Sequence, residues 1–432
     1  MSWDKVVSNP YLNFCTMVLR PRFMCYKPRA IRIRRPPQSS YSEPVNAWLY
    51  FDGPISALKE QRNVVLDIPG GGFVAMSPRT HDDKLIAWAG RTGLPVLSLD
   101  YKKAPEYPYP YALNECYDVY HMLIASRGRC IGMSGKVVPK VVMSGDSAGG
   151  NLVVGTVLMI LQAGSTDGRR LHGEAVLPPP EGVILVYPAL DMNIGNWMTD
   201  EQMALIRDRR TRKQNRGVLK RKSEDYTKLD PNTPHHSDDE DNEATSPKEN
   251  SEDIATSNRL LAASSKLAAN PSAGSIDEAT QNAQASKPRT LKTRLAMSSM
   301  ISYFNDRVLA PEMMRAMIIL YIGPHNRPDF SQDYLLSPIL APDSLLSMFP
   351  KTYFLTGERD PLVDDTVIFA GRLRRAKQAK HESDQASDVR LRKEFDDRDV
   401  TEVTLIPGIS HGFLQFAGVF PEGWKYIFRC SR

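Results

Sequence analysis

The stretch Gly145-Asp146-Ser147-Ala148-Gly149 sets a serine between glycines, directly after the apolar run "PKVVMSG" (139–145) and directly before the helical pattern "LVVGTVLMILQ". Gly-x-Ser-x-Gly between a strand and a helix is the setting of an exposed nucleophile: the glycines permit a sharp turn that holds Ser147 Oγ out at a helix N-terminus. The helix dipole favours developing negative charge there. A nearby "GMSG" (132–135) lacks the closing glycine.

A serine alcohol is a weak nucleophile unless a base takes its proton and a third group orients that base. Downstream, "TGERDPLVDD" puts Asp360 just past the apolar run "KTYFL", and "LIPGISHGF" puts His411 just past another. Ser147, Asp360 and His411 are therefore the candidate catalytic residues. Glu358 is the alternative acid, whereas Asp364 and Asp365 fall inside the next predicted helix and read as charges at its N-terminus. His81, His121 and His172 lack the strand-then-turn position, and His235 and His236 lie in a hydrophilic stretch.

A second glycine cluster, "LDIPGGGF" (66–73), follows an early apolar run. One tight turn needs only one glycine with positive φ, so three in succession point to close approach of backbone N–H groups to negative charge. A phosphate loop would continue with Gly-Lys-Ser/Thr. Here Phe73-Val74-Ala75 follows, which leaves an oxyanion hole as the better reading. Its candidate donors are the N–H groups of Gly71 and Gly72, joined by that of Ala148 after the nucleophile.

These residues need a scaffold that delivers them to one edge. Short β-branched runs at 63–68, 94–100, 139–145, 181–188, 351–357 and 401–408 alternate with helical spacing at 80–92, 111–126, 148–163 and 363–376. Continuous apolar runs mark strands buried on both faces, so the pattern predicts an α/β fold with a mostly parallel central sheet flanked by helices. Chemistry in such sheets sits at the carboxyl ends of the strands, which is where Ser147, Asp360 and His411 fall.

The alternation breaks after Asp191. A hydrophilic tract of roughly one hundred residues, with basic, acidic and Ser/Ala-rich parts, is too long for an ordered loop in a compact domain and reads as a disordered, regulatory insertion. The expected organisation is an N-terminal cap segment at 1–45, a first core part at 46–198, the insertion at 199–297, and the rest of cap and core at 298–432. A second hydrophilic stretch, 377–399, reads as a smaller insertion. Ser223 after Lys220-Arg221-Lys222, and Ser237 before Asp238-Asp239-Glu240, fit protein kinases as partners of the large insertion.

Composition narrows the class. With 41% hydrophobic residues in 432, the chain can bury a sizeable core, and a formal charge of +5 does not suggest nucleic acid. Five scattered cysteines without a CxxC pair suggest neither a disulfide framework nor a metal site, and no cofactor is implied. No secretory leader or membrane-length apolar run is evident, so a cytoplasmic location is expected, with peripheral attachment to membranes or lipid droplets. From Lys5 to Tyr41 no acidic residue occurs, while Arg29, Arg32, Arg34 and Arg35 interleave with apolar residues. That mixture fits an anionic lipid surface and, equally, an arm docked on its own domain.

"PGGGF", "DYKKAPEYPYPYALNECYDVY" (100–120), "GDSAGGN", "LLSPILAPDSLL" (335–346), "DPLVDD" and "SHGF" together resemble the hormone-sensitive lipase family of α/β hydrolases. The resemblance covers roughly 46–192 and 300–418. It implies the α/β-hydrolase fold with a helical cap, and hydrolysis of carboxylic esters by Ser147, His411 and Asp360. Apolar acyl esters such as acylglycerols or steryl esters are the expected substrates. The alternative is a ligand-binding or lipid-surface protein that keeps the fold without turnover. One departure stands out: the family's glycine loop usually begins with histidine, and this chain has Pro69 there.

Overall fold

The computed structural model describes residues 22–165, 176–193, 299, 306, 308–387, 395–417 and 421–431. The chain divides into two units, 1–233 with 293–432, and 234–292. All described residues belong to the first. The large insertion expected at 199–297, with Ser223 and Ser237, lies outside the described residues.

Eight strands form one sheet: β1 (Arg29–Ile33), β2 (Val45–Tyr50), β3 (Asn63–Ile68), β4 (Val96–Asp100), β5 (Lys140–Asp146), β6 (Gly182–Val186), β7 (Thr352–Gly357) and β8 (Thr401–Ile406). Their spatial order is β1-β2-β4-β3-β5-β6-β7-β8. β1 pairs with β2, and β2 with β4, antiparallel, and every pair from β4 onward is parallel. The six runs that read as strands all fall in the parallel part. β3 connects onward to β4 on one side, while its neighbour β5 connects onward to β6 on the other, so the connections diverge between β3 and β5. That topological switch opens a crevice beyond the strand ends.

Two strands go beyond the sequence expectation. β1 occupies part of the segment read as an N-terminal cap, and it forms an edge of the sheet, with only Ile33 of its five residues buried. Edge strands bury little, so their sequences need not be apolar throughout. β2 alternates Val45 and Ala47 inward with exposed Asn46 between them.

Among the described residues six longer helices flank the sheet: α1 (Asp82–Thr92), α2 (Tyr111–Ala125), α3 (Ala148–Ser165), α4 (Pro311–Ile322), α5 (Val363–Ser387) and α6 (Glu422–Cys430). Side chains alternate across a strand, so Val64, Leu66 and Ile68 of β3 share one face and Val65 the other. The first face packs with α2, α3, α4 and α5 in one apolar layer, and the second packs with α1 and α6. α3 is buried at nearly every position from Ala148 to Leu161, which explains its unbroken apolar sequence. α5 continues to Ser387, through part of the stretch read as a smaller insertion. Its last turns are polar because they are mostly exposed, and Gln378 there donates to Glu382 one turn on.

Candidate active site

β5 ends at Asp146 and α3 begins at Ala148, leaving Ser147 alone to make the turn. It does so at φ +53°, a left-handed conformation that costs a non-glycine residue about 1–3 kcal/mol and persists only where the surroundings enforce it. Here the Ser147 N–H donates to the Val186 carbonyl, while its own carbonyl accepts from Gly150, Asn151 and Ala189. The strained turn is thus clamped by β6 and the first turn of α3.

Beyond β7, Asp360 is fully buried and its Oδ1 accepts from the Leu362 N–H at 2.8 Å. Beyond β8, His411 Nδ1 lies 3.0 and 2.9 Å from the two Asp360 oxygens, and His411 Nε2 lies 3.0 Å from Ser147 Oγ. A carboxylate only accepts, so Nδ1 carries the proton and Nε2 is left to accept from the serine. Burial alone would lower the His411 pKa, but the charge and hydrogen bonds of Asp360 outweigh it and hold the imidazole above its ordinary value. The Tyr187 ring lies 4.6 Å from the imidazole, and Ser410 Oγ hydrogen-bonds Asp306 beside the histidine.

The three sequence candidates thus come together, although 51 residues separate Asp360 from His411 and 264 separate Ser147 from His411. Glu358 instead accepts from the Gly408 N–H. Asp364 and Asp365 do sit in the first turn of α5, but both are buried: Asp364 accepts from Ser299, and Asp365 from the Leu190 and Asp191 N–H groups.

The glycine loop leaves β3 beside this group. Gly71 has φ +113° and Gly72 φ +62°, so the loop relies on backbone freedom at both. It is anchored by the Tyr101 hydroxyl, which donates to the Pro69 carbonyl, and by the Ala104 N–H, which donates to the Phe73 carbonyl. The Phe73 ring stacks on Tyr321 of α4 at 3.8 Å. Gly71, Gly72, Ser147 and His411 line one cavity with Met76, Tyr187, Val308, Leu309 and Met317; it holds about 520 Å³ of space, open in part to solvent. Ala148 is buried at the head of α3 behind the serine.

Two titratable residues of this region escape a reading of the sequence alone. His81 and Lys84 are buried and both hydrogen-bond Asp146, the residue before the serine. His81 follows no strand end, so the positional criterion that selects His411 passes over it.

The sequence matches the family described as alpha/beta hydrolase fold over residues 65–255 and 286–387, and the chain belongs to that family. Within it, the sequence is similar to the hormone-sensitive lipase of Ictidomys tridecemlineatus, 33% identical over 156 residues, which cover 34% of this chain and 18% of that protein. An esterase of Acinetobacter venetianus is 33% identical over 141 residues, 32% of this chain and 40% of the esterase. The matched segment thus spans less than half the length of either relative. Among solved structures, a hyperthermophilic esterase from the archaeon Pyrobaculum calidifontis aligns with TM-score 0.56 and 19% identity, covering 99% of this chain and 89% of that one. At that identity the likeness is one of fold.

Proposed function

We propose that the protein is a serine carboxylic ester hydrolase, a lipase or esterase. The observation that carries the reading is the buried His411 imidazole bridging Asp360 and Ser147 at a cavity wall. In the reaction, Ser147 Oγ attacks the ester carbonyl carbon while its proton passes to His411 Nε2. The carbonyl electrons move onto oxygen, and the N–H groups of Gly71, Gly72 and Ala148 receive that oxyanion. Asp360 keeps the imidazole in the accepting tautomer and stabilises the imidazolium. Collapse of the intermediate breaks the bond to the alcohol, which leaves with the proton from His411. Water, deprotonated by the same histidine, then releases the acid and restores Ser147.

Apolar acyl esters, acylglycerols or steryl esters among them, are the substrates that this reading favours. Met76, Val308, Leu309, Met317 and Tyr187 give the cavity an apolar wall with few polar atoms to hydrate a substrate. No helix among the described residues is long and apolar enough to cross a membrane. Access to such esters is proposed to come from peripheral attachment of a cytoplasmic enzyme to a membrane or droplet, with kinases acting on the segment 199–297. The test is hydrolysis of a soluble short-chain ester by purified protein beside its Ser147→Ala variant. The reading expects turnover in the first and none in the second; equal rates would refute it.

A further inference from the structure

We infer that His81 is a positioning residue for the glycine loop, tying the exit of that loop to the turn that carries Ser147. The inference rests on the ester-hydrolase reading and adds a residue to it. Three observations on the same few side chains carry it.

The loop runs from Pro69 to Ser77, where a short helical turn begins, and His81 closes that turn. His81 Nδ1 lies 3.2 Å from the Ser77 carbonyl and 3.0 Å from Thr80 Oγ1, while Nε2 lies 3.1 Å from Asp146 Oδ2. Because a carboxylate only accepts, Nε2–H donates to Asp146, and the link from Nδ1 to the loop end runs through Thr80, whose hydroxyl lies against Nδ1 and donates to the Ser77 carbonyl at 2.7 Å. One imidazole, 3% exposed, thus spans from the end of the loop to the residue before the nucleophile.

The entrance of the loop is tied to the same carboxylate. Lys84 Nζ donates to Asp67 of β3 and to Asp146 of β5, each at 2.9 Å, and Asp67 lies two residues before Pro69. Lys84 is 2% exposed, and its charge offsets one of the two buried carboxylates. Burial would raise the Asp146 pKa, but His81 and Lys84 overcome it and hold the carboxyl well below the ordinary range. Asp146 is therefore a fixed anion to which both ends of the loop are fastened.

The first glycine of the loop passes directly over that anion. A Cβ built on Gly70 would lie 2.7 Å from Asp146 Oδ2 and 3.1 Å from Ser147 Cβ. A swing of the Asp146 carboxylate would shift the loop backbone, and with it the N–H groups of Gly71 and Gly72, relative to Ser147 Oγ. Pro69 at the loop entrance has no N–H with which to hold it, so side chains supply part of the restraint there. Gln415 Nε2 also donates to Asp146 Oδ2, at 3.4 Å, a longer hydrogen bond than the 3.1 Å one of the imidazole.

The experiment compares wild type with His81→Ala and His81→Gln, whose amide keeps a donor toward Asp146. For each, kcat and KM are measured on a soluble p-nitrophenyl ester, with the affinity for an alkyl trifluoromethyl ketone that adds to a serine as a tetrahedral oxyanion. A misplaced donor pair acts on the transition state, so His81→Ala is expected to lower kcat by about tenfold to a hundredfold, with KM within about twofold. The ketone affinity should fall by a similar factor, and His81→Gln should restore most of both. Unchanged kcat and ketone affinity in a folded His81→Ala protein would overturn the inference, as would a loss that His81→Gln does not relieve. If His81→Ala does not fold, His81→Asn, whose shorter amide falls short of Asp146, takes its place against His81→Gln: a loss in the first that the second relieves supports the inference, and no loss overturns it. A wild type that neither turns over the ester nor binds the ketone would instead overturn the hydrolase reading itself.

Discussion

The sulfur of Met317 on α4 occupies the space that a side chain at Gly72 would enter: a Cβ built on Gly72 would lie 2.1 Å from Met317 Sδ. The loop that carries the proposed oxyanion donors and the helix that walls the cavity are thus in direct contact. Gly72→Ala would meet two separate penalties, the φ of +62°, worth roughly 1–2 kcal/mol for an L-residue, and the sulfur. Met317→Ala removes only the second. Gly72→Ala should therefore lose most of kcat, and the double variant should regain part of it. Full activity in Gly72→Ala would mean that the loop needs no glycine there.

The acid limb of the activity profile follows from His411. As the proposed base, His411 works only when neutral, and Asp360 holds its pKa above the ordinary 6.5, so kcat/KM should rise with pH through a midpoint above that value. Asp360→Asn should move the midpoint down while lowering the plateau. Stability runs the other way: a histidine with a raised folded pKa stabilises fully below its unfolded pKa and loses that contribution as pH rises through the folded one. A pH series of kcat/KM on both proteins checks the first statement, and thermal midpoints over the same range check the second. A midpoint that does not move in Asp360→Asn would break the link between the two residues.

The parallel core was legible because its strands are buried on both faces and therefore spell unbroken apolar runs. β1 and β2 were not, since an edge strand and an alternating one look like ordinary surface sequence. Ser147, Asp360 and His411 stood out by their places just past strand ends, a position that sequence reports directly. His81 did not, because its meaning depends on a carboxylate 65 residues away that only the closed sheet brings near. Likewise Arg35 looked like one more basic residue of the N-terminal arm, and its burial could not be read from composition.

Arg35 corrects part of the lipid-surface expectation. It is 8% exposed and pairs with Glu115 at 3.2 Å and Asp118 at 3.0 Å, with Tyr41 and Tyr111 rings against its guanidinium. Such a residue holds the arm to α2 and is unavailable to a membrane. Arg35→Ala leaves Glu115 and Asp118 buried without the guanidinium, held by the Lys102 N–H and the Ser39 hydroxyl, and should cost about 3–5 kcal/mol in urea unfolding. A loss below about 1 kcal/mol would mean that the pair is dispensable.

Exposed charges remain on the same arm: Arg22, Lys27, Arg32 and Arg34. If they meet an anionic surface, each is worth about 1 kcal/mol before screening. Changing all four to Gln should weaken binding to phosphatidylserine vesicles at low salt, and less at high salt, without altering turnover of a soluble ester. Unchanged vesicle binding at low salt would leave the arm as a docked strut.

Pro69 offers a further check on the glycine loop. Tyr101, Ala104 and Tyr321 already fasten that loop, so Pro69→His should change kcat by less than about tenfold. A rise beyond that would show that the loop lacks a support which histidine supplies.

The proposed activation of Ser147 by His411 can be tested with a fluorophosphonate probe, without knowledge of the natural substrate. The probe phosphonylates an activated serine with loss of fluoride and spares an unactivated one. Intact-protein mass and peptide mapping should find one adduct, on Ser147, in wild type, with none in Ser147→Ala and labelling slowed at least about a hundredfold in His411→Ala. An unlabelled wild type, or labelling that persists in Ser147→Ala, would contradict it.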